Sequence, residues 1–288
     1  MQNYTIRDFD KEFPNDTSCL EWLRNYLYPD GIWCKECRTI TKHHRVTKRR
    51  SYSCDRCGHH VHPTAGTIYD HSSTPLKLWF YAIYLMSSTR CGISAKQLQR
   101  ELGVTYKTAW RIFKQVRSML TDDGMMLSGQ VEVDETYIGG RRPGKRGRGA
   151  EGKTPVIGLA QRKGKIVARA AADVSSATIL PMIQQHVRPE QTTVFTDELK
   201  SYDPLARARY THERVNHSRK EYVKGSAHTN TLEGFWSLVK QGVRGIYRAV
   251  DHKYLQSYLN EYSFRHNHRN DFEPMFKTFL GQVGHVVC

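Results

Sequence analysis

The chain has 288 residues, with 44 Lys plus Arg against 28 Asp plus Glu and a formal net charge of +16. Hydrophobics at 39% exclude wholesale disorder, and the length suits two or three domains. The longest apolar candidate, Leu76–Met86, falls short of the ~20 residues a membrane helix needs.

The N-terminus MQNYTIRDFD has neither the basic n-region nor the apolar h-region of a signal peptide. The expectation is a cytoplasmic, nucleoid-associated protein with a polyanionic partner and no membrane. A solvated basic face is the plainer reading of charge alone. The excess is +2 over 1–75, +5 over 76–127, +5 over 128–190 and +4 over 191–288, so the middle of the chain is the expected contact.

Four of the seven cysteines form two pairs, Cys34-x2-Cys37 and Cys54-x2-Cys57, with sixteen residues between them. Each pair fits a tight turn aiming two thiolates at one tetrahedral ion, so the spacing predicts structural Zn²⁺ on a small β-ribbon. Two disulfides are the alternative, disfavoured where no secretion signal is seen. A nearby histidine (His59, His60 or His62) is a substitute ligand that four cysteines make unnecessary. Cys19, Cys91 and Cys288 have no paired spacing; buried thiols are expected for the first two.

Leu76–Met86 then reads as a buried helix entered after Pro75. Ser94-x-x-Gln97 has the form of a capping box, and Leu98 and Leu102 give the next helix an apolar side. Gly103-Val104-Thr105 is a turn whose Thr105 caps a further helix. In it Tyr106, Trp110, Phe113, Val116 and Leu120 recur at helical spacing. Lys107, Arg111, Lys114 and Arg117 lie off that stripe. Two short helices around a Gly-containing turn, the second basic, predict a helix-turn-helix that binds DNA; an ordinary helical hairpin is the alternative.

Gly139–Lys153, GGRRPGKRGRGAEGK, holds six Gly and six basic residues and reads as a loop. Within it Gly147–Thr154 matches a Walker A pattern. A P-loop needs a helix directly after Lys153-Thr154, whereas Pro155 and the strand-like Val156–Ala160 follow. A β-hairpin loop is the better reading.

From about 130 onward, strands are expected near 130–138, 155–161, 165–173, 192–196 and 210–215. Helices are expected near 176–187 and 229–241. That order implies a mixed sheet with helices packed on it. Asp134 sits inside the first strand, where a carboxylate is costly unless paired, hydrogen-bonded or metal-bound. Asp197 closes the fourth strand, and strand ends in such sheets gather ligands. Alone, Asp197 is equally a solvated end residue. On the following helix Asn230, Glu233, Ser237, Lys240 and Arg244 share one arc, opposite Leu232, Phe235, Trp236, Val239 and Val243. The polar arc faces either solvent or a site. Thirty-five residues separate Asp197 from Glu233, and Lys240 lies seven further on, which favours the site.

With these residues in place the sequence resembles an insertion-sequence DDE transposase of the branch with an N-terminal zinc ribbon. The likeness runs through the double CxxC, HPTAGTIYDHSSTPLKLWFYAIYLM, VEVDETYIGGRRPGKRGRGAEGKTPVIG, VFTDELKSY, HTNTLEGFWSLVKQGVRGIY and YLNEYSFRHNHR. It covers nearly the whole chain. The resemblance implies a multidomain α/β protein: a zinc ribbon module at 1–75, a helix-turn-helix region at 76–127 and an RNase-H-like catalytic domain at 128–288. It implies cleavage and transfer of DNA strands with two Mg²⁺ (or Mn²⁺) about 4 Å apart, held by Asp134 and Asp197. The third ligand is Glu233, with Asn230 as neighbour or true third member. Lys240 is expected on a phosphate. Lys107, Arg111, Lys114, Arg117, Arg141, Arg142, Lys145, Arg146 and Arg148 are the expected DNA contacts. The partners are then the element's terminal inverted repeats and target DNA, with a homo-oligomer assembled on them. A DNA-binding regulator with an inactive catalytic domain and a structure-specific nuclease are the other classes.

Overall fold

The computed structural model describes residues 4–121, 124–139, 152–207, 210–214 and 230–285. The chain divides into two compact units: Met1–Met119 with Asp271–Cys288, and Leu120–Asn270. Among the described residues no helix is long and apolar enough to cross a membrane.

The first unit opens with helices α1 (Ile6–Glu12) and α2 (Asp16–Leu27). Thr5 and Asn15 cap them, each with a reciprocal side-chain bond, which satisfies amides that a helix start otherwise leaves open. Short strands follow: β1 (Trp33–Cys34) pairs antiparallel with β2 (Thr39–Ile40), and β3 (His43–Val46), β4 (Ser51–Cys54) and β5 (His60–Val61) form a three-stranded ribbon. Helix α3 spans Leu76–Ser88. The carboxylate of Asp16 takes the amides of Leu76 and Lys77 at 3.0 and 2.9 Å, so an acid sixty residues away caps α3. On α3, Trp79, Phe80 and Ile83 are buried. Phe276 of helix α9 (Met275–Leu280) packs in the same unit against Phe9 and Tyr84.

Helices α4 (Ala95–Leu102) and α5 (Tyr106–Ser118) are joined through Gly103, whose φ of 63° is the left-handed conformation glycine adopts readily. Ser94 and Thr105 cap them through the amides of Gln97 and Thr108. The buried side of α5 is Ala109, Ile112, Phe113 and Val116. This corrects the expected stripe: Tyr106 is 44% exposed and Trp110 half-buried. Tyr106 instead lies under Lys96 of α4, whose ammonium is 4.8 Å from its ring centroid. Of the cysteines outside the two CxxC pairs, Cys19 is buried and Cys91 half-buried.

The second unit is a five-stranded mixed sheet in the order β10-β9-β6-β7-β8. Strands β6 (Gln130–Gly139), β7 (Lys153–Gln161) and β8 (Ile166–Ala170) are antiparallel neighbours. After helix α6 (Ser176–His186), strand β9 (Thr193–Thr196) joins β6 in parallel and β10 (Thr211–Arg214) joins β9. A 3-10 helix, Lys200–Arg207, lies between them, and α7 (Asn230–Gly245) and α8 (His252–Asn267) follow. The expected 165–173 strand is shorter and ends at Ala170, with the Ala171 amide still bonded to the Pro155 carbonyl at 2.9 Å. Lys153 begins a strand and not a helix, as the hairpin reading of the Walker-like segment requires.

Alternation along the strands divides the unit into two cores. Val131, Val133, Ile157, Leu159 and Val194 pack with Ile179 and Ile183 of α6 on one face. Ile138, Val156, Ala160, Ile166 and Ala168 pack with Leu232, Phe235, Trp236 and Val239 of α7 and Leu259 of α8 on the other. Each fully buried side chain of this kind contributes about 1.5–3 kcal/mol before chain entropy is counted. The apolar arc read from sequence on α7 is therefore its sheet-facing side.

Candidate active site

Pleating puts Glu132, Asp134 and Ile138 on the α7 face of β6, and Val131, Val133 and Glu135 on the α6 face. The parallel ladder pairs Gln130 with Thr193, Val131 with Val194 and Glu132 with Phe195. Carried two positions on, the same register brings Asp197 level with Asp134, one strand away. Asp197 accepts the amide of Leu199 at 2.9 Å, a local turn that holds the strand end. Thr196 donates to the Asp197 carbonyl at 2.9 Å and meets His212 Nε2 at the same distance.

Trp236 of α7 donates its indole N–H to Asp134 Oδ2 at 3.0 Å. That approach depends on Gly158, the residue opposite Asp134 on β7. A Cβ at Gly158 would lie 2.4 Å from Trp236 Cζ2 and 2.8 Å from Leu232 Cδ2. Burial pushes the Asp134 carboxyl up to about 7; the charges of Glu135 and Asp197 push the same way, and the indole hydrogen bond opposes them. Tyr202 donates to Glu135 Oε2 at 2.9 Å on the other face.

Lys240 lies one turn beyond Trp236. Burial is the main cause of its lowered pKa, with Arg244 adding to it, while the charge of Asp134 acts the other way. At about 100° per residue, Glu233 and Lys240 fall within about 20° of each other around α7, with Asn230 about 60° further from Trp236. Glu233 and Asn230 are both exposed. Among the described residues, the four cysteines are the one group of three or more His, Cys, Asp or Glu side chains whose ligand atoms lie within 4.8 Å of one another. Asp134, Asp197 and Glu233 do not close to that spacing.

In the first unit, Cys34, Cys37, Cys54 and Cys57 do. Cys34 and Cys57 sulfurs are 3.4 Å apart, and Cys37 and Cys54 sulfurs 3.9 Å. Four thiolates about 2.3 Å from a tetrahedral zinc lie about 3.8 Å from each other, so the cluster fits that ion. Thr41 Oγ1 reaches Cys54 Sγ at 3.1 Å and is the largest cause of the lowered Cys54 pKa, about 5, which favours the ligating thiolate. Disulfides are not formed among these residues.

Family models match both parts of this description. Residues 14–60 match the transposase zinc-ribbon domain and residues 126–267 the ISXO2-like transposase domain. A protein in transposable element ISH50 of Halobacterium salinarum is 31% identical over 293 residues, covering 94% of this chain and 97% of the relative. The chain belongs to the ISXO2-like transposase family. A transposase-like protein of Haemophilus influenzae is 30% identical over 105 residues, 36% of this chain and 83% of its own. A chain in the crystal structure of a pre-cleavage Mos1 transpososome aligns over 72% of this chain and 78% of its own, at 13% identity and a TM-score of 0.26, too distant to carry an argument.

In this ISXO2-like transposase the helical residues expected on DNA divide. Lys107, Arg111 and Lys114 are exposed. Arg117 is not: it is 1% exposed, with its guanidinium 3.6 Å from the Phe113 ring centroid. It points along the apolar side of α5, because position 117 follows Phe113 by one turn. Arg141, Arg142, Lys145, Arg146 and Arg148 lie outside the described residues.

Three residues of the site escape a reading by motif: Trp236, Gly158 and Glu132. Trp236 was legible only as part of an apolar arc. A glycine at the centre of a strand signals close approach, and that signal was present at Gly158.

Proposed function

We propose that this transposase binds the ends of its element and catalyses metal-dependent cleavage and transfer of DNA strands. The observation that carries the reading is the β6–β9 register, which runs to Glu132–Phe195 and, extended two positions, supports Asp134 and Asp197 as level neighbours, with the charge of Asp197 acting on Asp134. Two adjacent carboxyls, one of them held up to about 7 by burial and like charge, form a site that a hard divalent cation relieves. Asp134 and Asp197 are the first two ligands in this reading, and Glu233 the third. Asn230, further round α7, is the neighbouring candidate. Bound there, a pair of Mg²⁺ ions supplies Lewis-acid activation of the attacking oxygen and neutralises charge on the leaving one.

The protein's own groups do the rest. Trp236 holds Asp134 Oδ2 and so orients its other oxygen. Lys240, close enough to feel Asp134, contacts a phosphate beside the scissile bond as a point charge. The mixed five-stranded sheet with helices on both faces supports an RNase-H-like catalytic domain. The α4–Gly103–α5 pair supports a helix-turn-helix, with Lys107, Arg111 and Lys114 toward phosphates. The zinc ribbon shares recognition of the terminal repeat.

The deciding experiment uses labelled terminal-repeat DNA with Mg²⁺. Asp134→Asn and Asp197→Asn abolish cleavage and leave end binding intact. Cleavage at wild-type rate in either variant overturns the assignment. Joining of cut ends to a target duplex separates a transposase from a nuclease.

A further inference from the structure

Glu132 is fully buried, at 0% exposure. A carboxylate there demands compensation from hydrogen bonds and opposite charge. Its Oε2 accepts the amides of Thr231 and Leu232 at 3.0 and 3.2 Å. Its Oε1 accepts the Thr231 hydroxyl at 3.0 Å and Arg162 Nε at 3.0 Å. Arg162 is itself fixed: its guanidinium sits 4.0 Å from the Phe195 ring centroid, and it reaches Gln130 Oε1 at 3.4 Å.

Thr231 and Leu232 are the second and third residues of α7. Theirs are the two amides that a capping side chain ordinarily takes, and a negative charge there meets the positive end of the helix dipole. The cap comes from a strand 99 residues away in sequence. That strand also carries Asp134, two positions on and on the same face. The residue after Leu232 is Glu233.

We infer that Glu132 is a positioning residue that pins the start of α7 to β6, and so sets where Glu233, Trp236 and Lys240 stand relative to Asp134. The inference rests on the reading of Asp134 and Glu233 as metal-site residues. One strand then fixes both the first acid and the helix that bears the third. Arg162 sets an opposite charge 3.0 Å from the buried Glu132 Oε1.

The test uses the full-length, zinc-loaded chain and two variants. Glu132→Gln removes the charge and keeps the shape. Glu132→Gln with Arg162→Met also removes the cation left without its partner, and guards against simple misfolding. In both variants backbone hydrogen exchange at Thr231 and Leu232 speeds up by roughly tenfold or more, while zinc content stays at wild-type level. Cleavage of terminal DNA loses roughly 10–100-fold in kcat, the range for residues that orient metal-site groups, with KM for DNA within about twofold. Unchanged exchange at Thr231 and Leu232 in Glu132→Gln overturns the anchor. So does wild-type kcat in the double variant, which would reduce Glu132 to a counter-ion for Arg162. A wild-type chain that cuts no DNA overturns the functional reading instead, and the exchange measurement still decides the anchor.

Discussion

The indole of Trp236 and the carboxylate of Asp134 form a 3.0 Å hydrogen bond between helix and sheet. The bond favours the ionised carboxylate against burial and the neighbouring charges. Trp236→Phe keeps most of the apolar contact and removes the donor. Asp134 then titrates at a still higher pH. Cleavage at pH 7 is expected to fall roughly tenfold or more and to recover partly toward pH 9. A pH–rate profile with its acidic limb unmoved would refute this role for Trp236.

Gly158 makes that bond possible. A methyl group there meets Trp236 and Leu232 at distances no side chain tolerates. Gly158→Ala therefore forces α7 away from β7, at about 1–3 kcal/mol for overpacking of this kind. The melting temperature of the second unit drops, and cleavage is expected to drop with it. In a Trp236→Ala background, itself destabilised by about 3–5 kcal/mol, Gly158→Ala should cost less than in wild type, because the Trp236 clash is gone and only that with Leu232 remains. If Gly158→Ala melts like wild type, the close approach is not as described.

Much of this architecture was legible in the sequence, and what was missed has a common cause. The run of β-branched residues around Asp134 and the Pro/Gly punctuation near 155 fix β6 and β7 closely. The 3.6-residue spacing of Leu232, Phe235, Trp236, Val239 and Val243 fixes the buried side of α7. Glu132 could not be read that way, because its partners at 231 and 232 are far away in sequence and a strand Glu looks the same whether solvated or capping a helix. Arg117 failed for a related reason. Its place one turn after Phe113 was visible, but a long basic side chain reads as solvent-facing until its aliphatic stem is seen to pack.

Asp134 also makes stability depend on pH. Its carboxyl is raised to about 7 in the folded protein, against about 3.9 in an unfolded chain. Between those values the folded state keeps a proton that the unfolded state releases. Stability of the metal-free protein therefore falls as pH rises from about 4 to about 7, and then levels. Asp134→Asn removes the penalty, on the order of 4 kcal/mol at pH 8, while abolishing cleavage. Thermal melts at pH 5 and pH 8 check this. A variant that gains nothing over wild type on going to pH 8 would contradict the sign.

The four-cysteine cluster predicts dependence on zinc. Cys34→Ser leaves three thiolates around a site that closes with four. Apparent zinc-binding energies of about 10–16 kcal/mol rival the whole stability of a domain. The variant should lose bound zinc and the cooperative melting of the N-terminal unit, and a strong chelator should do the same to wild type. Stoichiometric zinc in Cys34→Ser, measured by elemental analysis, would rule out the cluster as the site.

Lys114 and Arg117 are three residues apart on α5 and are expected to behave differently. Lys114 is exposed, so Lys114→Ala should weaken binding to every DNA sequence alike. It should also reduce the slope of log affinity against log salt by about one. Arg117 is buried against Phe113, where its loss removes packing and an aromatic–cation contact worth about 1–2 kcal/mol. Arg117→Ala should lower the melting temperature and leave the salt slope unchanged once the protein is folded. Salt titrations on one terminal-repeat duplex distinguish the two. A reduced slope for Arg117→Ala at wild-type stability would mean that Arg117 turns outward to meet DNA.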